Sequence, residues 1–350
     1  MPTTKAIEAA KEMMKEKGID TKPDDKVIEG RLNMVIQIHN TECEFFQNLG
    51  PILDIPLPKI HKSIKWIMGG QKGIIHMEDL SNRSKTTSIF TKYSLAQVKN
   101  LMKYMVKWHK NAFVHRDAWQ GKYTTGQNTF INMVRAFDPM IDGLFATFPD
   151  KMEPLKPFIE KYRKLFTNID YWRYAMVGVQ ADIGLPPMLI HGDLHSGNLM
   201  WSIDDNDGIT NQIAAIIDWQ TIFEGNPMYD LAKLVTLCCD GPTRREIEYI
   251  IFDFYMEKIT VEWKKNNNKE EMPFTKEKIK KAYNYAFILH AFSIIGIIAC
   301  APAFHNSYPE NPAIREAELD LSFLSALHAC QDADKLLQGE MKDVFEKYNL

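Results

Sequence analysis

The alternation of apolar and polar positions divides the chain into helical stretches, one hairpin and a central stretch of another kind. Over residues 4–18, Ala6, Ile7, Ala10, Met13 and Met14 share one helical face, with Thr3 or Thr4 as cap and Gly18 as stop. Residues 21–29 are charged and contain Pro23, which predicts a loop. A second helical pattern runs over 33–49 through Met34, Ile38, Phe45 and Phe46, and Gly50-Pro51 ends it. Residues 59–66 and 73–77 then read as two strands joined by Met68-Gly69-Gly70-Gln71, a hairpin turn.

Further on the period is again that of helices. Residues 94–113 place Leu95, Val98, Leu101, Met102, Met105, Trp108 and Ala112 at helical spacing, leaving Lys99, Lys103, Lys107 and Lys110 for a solvated side. Residues 129–181 are helical and aromatic, with Phe130, Phe137, Phe145, Phe158, Tyr162, Phe166, Tyr171, Trp172 and Tyr174 predicted for the core, and Pro186-Pro187 ends them. Helices are predicted at 244–263, 275–301 and 316–337, with Asn266-Asn267-Asn268 as a linker. The Ile-rich part at 286–301 is shorter than the ~20 residues of a membrane span, carries His290 and stops at Pro302. It therefore reads as a buried helix.

Between these helices, residues 189–218 follow a different plan. Two short apolar runs flank a polar loop, and each run delivers a carboxylate at its end. The loop reads His191-Gly192-Asp193-Leu194-His195-Ser196-Gly197-Asn198, and the second run closes on Ile216-Ile217-Asp218-Trp219. This matches the H-R-D-L-x-x-x-N catalytic loop of protein kinases at every fixed position except the arginine, which is Gly192. Asp218 takes the place of the later metal-binding aspartate. Phosphoryl transfer needs a carboxylate to orient a hydroxyl and accept its proton, which predicts Asp193, and oxygen donors for Mg²⁺, which predicts Asn198 and Asp218. His191 is expected to bond the loop backbone. His195 either faces substrate or phosphate, or packs beneath the loop. Asp204, Asp205 and Asp207 fit a hairpin tip better than a calcium loop, because no terminal glutamate follows at the required spacing.

Bulk properties narrow the partners. The 350 residues are 45% hydrophobic, enough for a substantial core in one two-lobed unit. A net charge of −3 without a basic run argues against nucleic acid. The five cysteines show no C-x-x-C spacing, and the N-terminal residues lack the apolar core of a signal peptide. A cytoplasmic location with reduced thiols is the expectation, and oligomeric state is not predicted.

His191-Gly-Asp-Leu-His-Ser-Gly-Asn198 followed by Ile217-Asp-Trp-Gln220 resembles the aminoglycoside phosphotransferase and choline-kinase-like superfamily, and within it the ecdysteroid-kinase-like (CHK kinase-like) branch of nematodes and insects. The resemblance covers roughly Asn40 to the C-terminus. It implies an α+β, two-lobed protein-kinase-like fold, with a shortened nucleotide-binding lobe in 1–80 and a mainly helical lobe in 81–350. It implies ATP and Mg²⁺ as cofactors, and as partner a small-molecule alcohol acceptor that is sterol-like, choline-like or xenobiotic. By the same resemblance His191, Asp193 and His195 form the catalytic set. Glu42, or Glu44 one register step away, would pair with a phosphate-holding lysine. Met77 would line the adenine pocket, the Glu78 carbonyl and Leu80 amide would pair with the base, and Asp230 would accept backbone hydrogen bonds from the catalytic loop.

The first forty residues depart from that pattern. Only Gly18 and Gly30 precede Glu42, no glycine-rich loop or strand–lysine–strand pattern occurs there, and Lys26 is the nearest lysine with apolar neighbours. Two readings follow: a working small-molecule kinase, or a pseudokinase or binding module that has lost productive nucleotide binding. A third, a metal-dependent hydrolase using His191, Asp193 and His195 as ligands, needs further ligands that His290 and His328 on apolar helices are poorly suited to supply.

Overall fold

Helix α1 is Asp25–Glu44 in the computed structural model, which describes residue 8 and residues 25–88, 91–265, 270–300 and 311–350. The helix expected at 4–18 apart from Glu8, the start of the loop expected at 21–29, the Asn266–Asn268 linker and Pro302 lie outside the described residues. Within them, residues 25–29 are helical where a loop was expected. Glu and Lys are good helix formers, so a charged stretch can still be helical around a buried side chain, here Ile28. Met34, expected in the core, is 43% accessible.

At the end of α1 the backbone widens into a π-turn, Phe45–Leu49, that buries Phe45, Phe46 and Leu49 together. Gly50-Pro51 begins one more helical turn instead of ending the helix, and the chain reverses at Asp54, whose φ is +53°. Strands β1 (Ile60–Ile64) and β2 (Ile74–Met77) then pair antiparallel as the predicted hairpin. A short β3 (Ser84–Lys85) joins β5 (Leu199–Ile203) and β6 (Ile209–Ile216) in an antiparallel sheet, while β4 (Met188–Ile190) pairs antiparallel with β7 (Phe223–Gly225).

The remainder is mainly helical, so the arrangement is α+β, with four of the seven described strands within residues 188–225. Helix α2 (Leu95–Val114) is capped by a reciprocal box between Ser94 and Gln97. Lys110, expected on its solvated side, is buried and bonds Asn111. Short helices fill 128–182, followed by α3 (Tyr229–Cys238), α4 (Gly241–Lys264), α5 (Lys276–Ala299) and α6 (Pro312–Gln338). Helix α5 is long and apolar enough to cross a membrane, yet it lies almost wholly inside the protein, packed against α3 and α6. The tip between β5 and β6 is the expected hairpin, with the Asp204 carboxylate accepting from the amides of Asn206 and Gly208.

Trp219 joins the two halves. Its indole stacks on Phe45 at 4.1 Å, meets Trp108 edge-on at 4.9 Å and lies 4.7 Å from the His191 ring. A second tie is the Ile216 amide, which donates to the Pro56 carbonyl at 2.9 Å.

Candidate active site

Strand β4 delivers the loop 191–198, and backbone bonding fixes its shape. Gly192 has φ +84°, and a Cβ there would stand 2.8 Å from the Thr221 carbonyl oxygen. An arginine at this position would therefore be excluded twice over, by conformation and by space. Asp230, in the first turn of α3 and fully buried, accepts from the His191 amide at 2.7 Å and the Gly192 amide at 2.9 Å. Burial pushes its carboxyl up to about 7, against the pull of those two amides. His191 is also fully buried. Its Nε2–H donates to the Ile217 carbonyl, its Nδ1 accepts from the Asp193 amide, and burial lowers its pKa to about 4. With both nitrogens committed to backbone, His191 is not available as an acid, a base or a metal ligand, which removes it from the catalytic set and takes one ligand from the hydrolase reading.

Asp193 has a partner that the loop motif does not reveal. Lys233 on α3 donates to its Oδ1 at 2.5 Å and to the Gly192 carbonyl at 3.0 Å, with the ammonium 4.6 Å from the centre of the Phe130 ring. Burial alone would raise the Asp193 carboxyl, but the Lys233 ammonium and the His195 ring hold it well below the usual carboxylate range. His195 Nε2 lies 3.6 Å from Asp193 Oδ2, and its Nδ1 accepts from the Gly197 amide. The signal for Lys233 was present in Asp230-Leu231-Ala232-Lys233, because residues three apart share a helix face.

Asn198 and Asp218 lie together behind this loop. The Asn198 amide group donates to the Asp193 carbonyl at 2.9 Å, and its side chain also reaches Asp218. Asp218 sits in the left-handed region, φ 66° and ψ 55°, a conformation that costs a non-glycine residue about 1 kcal/mol or more. Burial and the nearby Asp193 charge raise its pKa. Glu42 approaches from α1, accepting the Trp219 amide at 3.2 Å, and burial with the Asp218 charge raises it to about 7. Asp218 thus feels the Asp193 charge and in turn burdens Glu42, while the Lys233 ammonium is bonded to Asp193. Asn and Asp oxygens are hard donors, and a divalent cation would relieve this repulsion, so the residues fit Mg²⁺. No group of three His, Cys, Asp or Glu suited to a metal occurs among the described residues.

The expected partner of Glu42 is not there. No lysine pairs with it among the described residues. Lys26 sits on the same helix 16 residues earlier, about 24 Å along its axis. Glu44 points outward to an exposed pair with Lys65. At the expected hinge, Met77 is 37% exposed because its two-stranded hairpin has no further strand over it among the described residues. The Glu78 carboxylate binds the Lys59 amide and Arg83. The buried Leu80 turns its carbonyl to Ser84, and its amide donates to no oxygen among the described residues.

Asp193, His195 and Lys233 open on a cavity of about 320 Å³ whose wall is mostly apolar, with Phe130, Trp172 and Tyr229 among its rings and α5 along one side. A more polar hollow of about 670 Å³ adjoins it, sharing Ile38, Thr129 and Gln220.

Comparison with known proteins yields a family and a few distant structures. The family model DUF1679, described as "Uncharacterized oxidoreductase dhs-27", matches residues 1–320. The Caenorhabditis elegans protein "Uncharacterized oxidoreductase dhs-27" is 24% identical over 305 residues, covering 86% of this chain and 36% of that protein. The chain thus spans about a third of that relative's length. Among solved structures, the GDP complex of aminoglycoside 2'-phosphotransferase-IIIa aligns with a TM-score of 0.43 and 14% identity, over 84% of this chain and 83% of that one. ADP-bound aminoglycoside phosphotransferase APH(2'')-Ib aligns with a TM-score of 0.35 and 12% identity, over 85% of each chain.

Proposed function

This chain belongs to the DUF1679 family, and from that premise we propose that it is an ATP- and Mg²⁺-dependent phosphotransferase acting on the hydroxyl of a small molecule. The observation that carries this reading is the loop 191–198, pinned by Asp230, which turns Asp193 into an apolar cavity while Asn198 and Asp218 lie behind it. In this reading residues 1–80 form the nucleotide side and 81–350 the catalytic and acceptor side. The Glu78 carbonyl and the Leu80 amide, beside Met77, would be the groups that hold the adenine base.

Asn198 and Asp218 would hold Mg²⁺, which would supply positive charge to offset that of the nucleotide phosphates. Asp193 would orient the acceptor hydroxyl through Oδ2, since Lys233 occupies Oδ1, and take its proton while the γ-phosphoryl group passes to the acceptor oxygen and the bond to the leaving ADP breaks. A carboxylate kept ionised suffices, because a loose transition state demands little prior deprotonation. The apolar wall excludes water that would otherwise compete as acceptor.

The name of the C. elegans relative suggests an oxidoreductase. Among the described residues every strand ladder is antiparallel, and the sequence contains no G-x-G-x-x-G, so the dinucleotide-binding pattern of a parallel sheet with that loop is not seen there. A second reading, a catalytically silent binding module, draws on Glu42 bonding the Trp219 amide in place of a lysine. Titration with Mg·ATP, read by thermal stability, separates the two. Saturable stabilisation that disappears in Asp218→Ala, with phosphoryl mass gain on an alcohol, is the expected result. No stabilisation at millimolar nucleotide would leave only the silent module.

A further inference from the structure

Resting on the kinase reading of this cavity, we propose that Lys233 makes it a site for uncharged, largely apolar alcohols and against cationic ones. Among the described residues that line the cavity, Asp193 is the one carboxylate and Lys233 the one permanent cation. They answer each other: the ammonium lies 2.5 Å from Asp193 Oδ1 and is only 5% exposed. Glu42 and Asp218 stand outside the lining. The other titratable groups that face the cavity supply no negative charge. Burial lowers the pKa of His290, raises that of Tyr229 far above neutrality and raises that of Cys300, while His195 is a neutral or positive ring beside Asp193.

A primary or quaternary ammonium entering here would shed its water against an apolar wall, find no uncommitted carboxylate, and come to rest near a buried like charge. Aromatic walls can hold cations through their ring faces. The face of Phe130 nearest the reacting end is, however, already occupied by Lys233. A neutral alcohol meets none of these obstacles. Its apolar body lies against Phe130, Phe137, Trp172 and Tyr229, and its hydroxyl donates to Asp193 Oδ2.

Isosteric pairs test this by calorimetric binding to the full chain, which requires no turnover. The pairs are 3,3-dimethylbutan-1-ol with choline, and 4-tert-butylcyclohexanol with 4-(trimethylammonio)cyclohexanol. The neutral member should bind about tenfold or more tightly than the cation. The gap should persist in Lys233→Arg and close or invert in Lys233→Met, which leaves Asp193 uncompensated. Cations binding wild type as well as their isosteres, or no saturable heat from either member, would overturn the proposal. So would a gap unchanged in a folded Lys233→Met, and if that variant does not fold the wild-type pairs decide alone. Absence of Mg·ATP turnover alongside neutral-over-cation binding would defeat the kinase reading while leaving this selectivity in place.

Discussion

The two sides of the cleft are built to different standards. On the side of the loop 191–198 named partners hold the polar groups of the motif: Asp230 for two amides, Ile217 for His191, Lys233 for Asp193, Gly197 for His195. On the other side α1 presents Glu42 with only a backbone amide, and Met77 lies open on a two-stranded hairpin. Interior polar groups left unmatched are costly, so a completed network marks the half of the site that folding alone preorganises. The sparser half is the one whose order a nucleotide would have to complete.

That contrast can be broken most sharply at the acceptor side. Asp193→Asn should lower kcat by about 10²–10⁴-fold while leaving Mg·ATP stabilisation in place, measured by coupled turnover and thermal melts. Loss of nucleotide stabilisation as well would merge the two halves into one. Asp230→Ala should destabilise the chain by about 2–6 kcal/mol in urea, since it strips two buried amides of their acceptor, whereas Asp230→Asn keeps one acceptor and should lose less.

On the α1 side the test is pH. The folded value of Glu42, about 7, lies above its ordinary 4.5, so the native chain keeps a proton that the unfolded chain releases. The stability this supplies is complete below about 4.5 and is lost as pH rises through about 7, amounting to about 3 kcal/mol. Glu42→Gln should remove that loss, and equal stability–pH slopes for the two proteins would show that Glu42 is not buried as described. The smallest effect belongs to the exposed Glu44–Lys65 pair, where Lys65→Ala should change stability by under about 0.5 kcal/mol.

The sequence made one of these sides far more legible than the other. Asp193, Asn198, Asp218 and Asp230 could be named because loop chemistry demands fixed residue types at fixed spacing. Lys233 was missed although it lies one turn from Asp230, because a lysine in an apolar helix carries no motif of its own. The start of α1 was misread because a charged stretch in which Ile28 is buried has no periodic face to detect, and Lys110 because its burial depends on what packs over it. The cavity wall was hidden for the opposite reason. A helix apolar on all sides, such as α5, gives no pattern to say which side meets a ligand.

Trp219 follows directly after Asp218 and is held by Phe45, Trp108 and His191. Its consequence is mechanical. Sliding α1 past the loop would tear a stacked pair of rings apart, whereas rocking about the indole keeps them in touch. Admission and release of a cleft ligand are thus expected to proceed as a tilt about an aromatic pin.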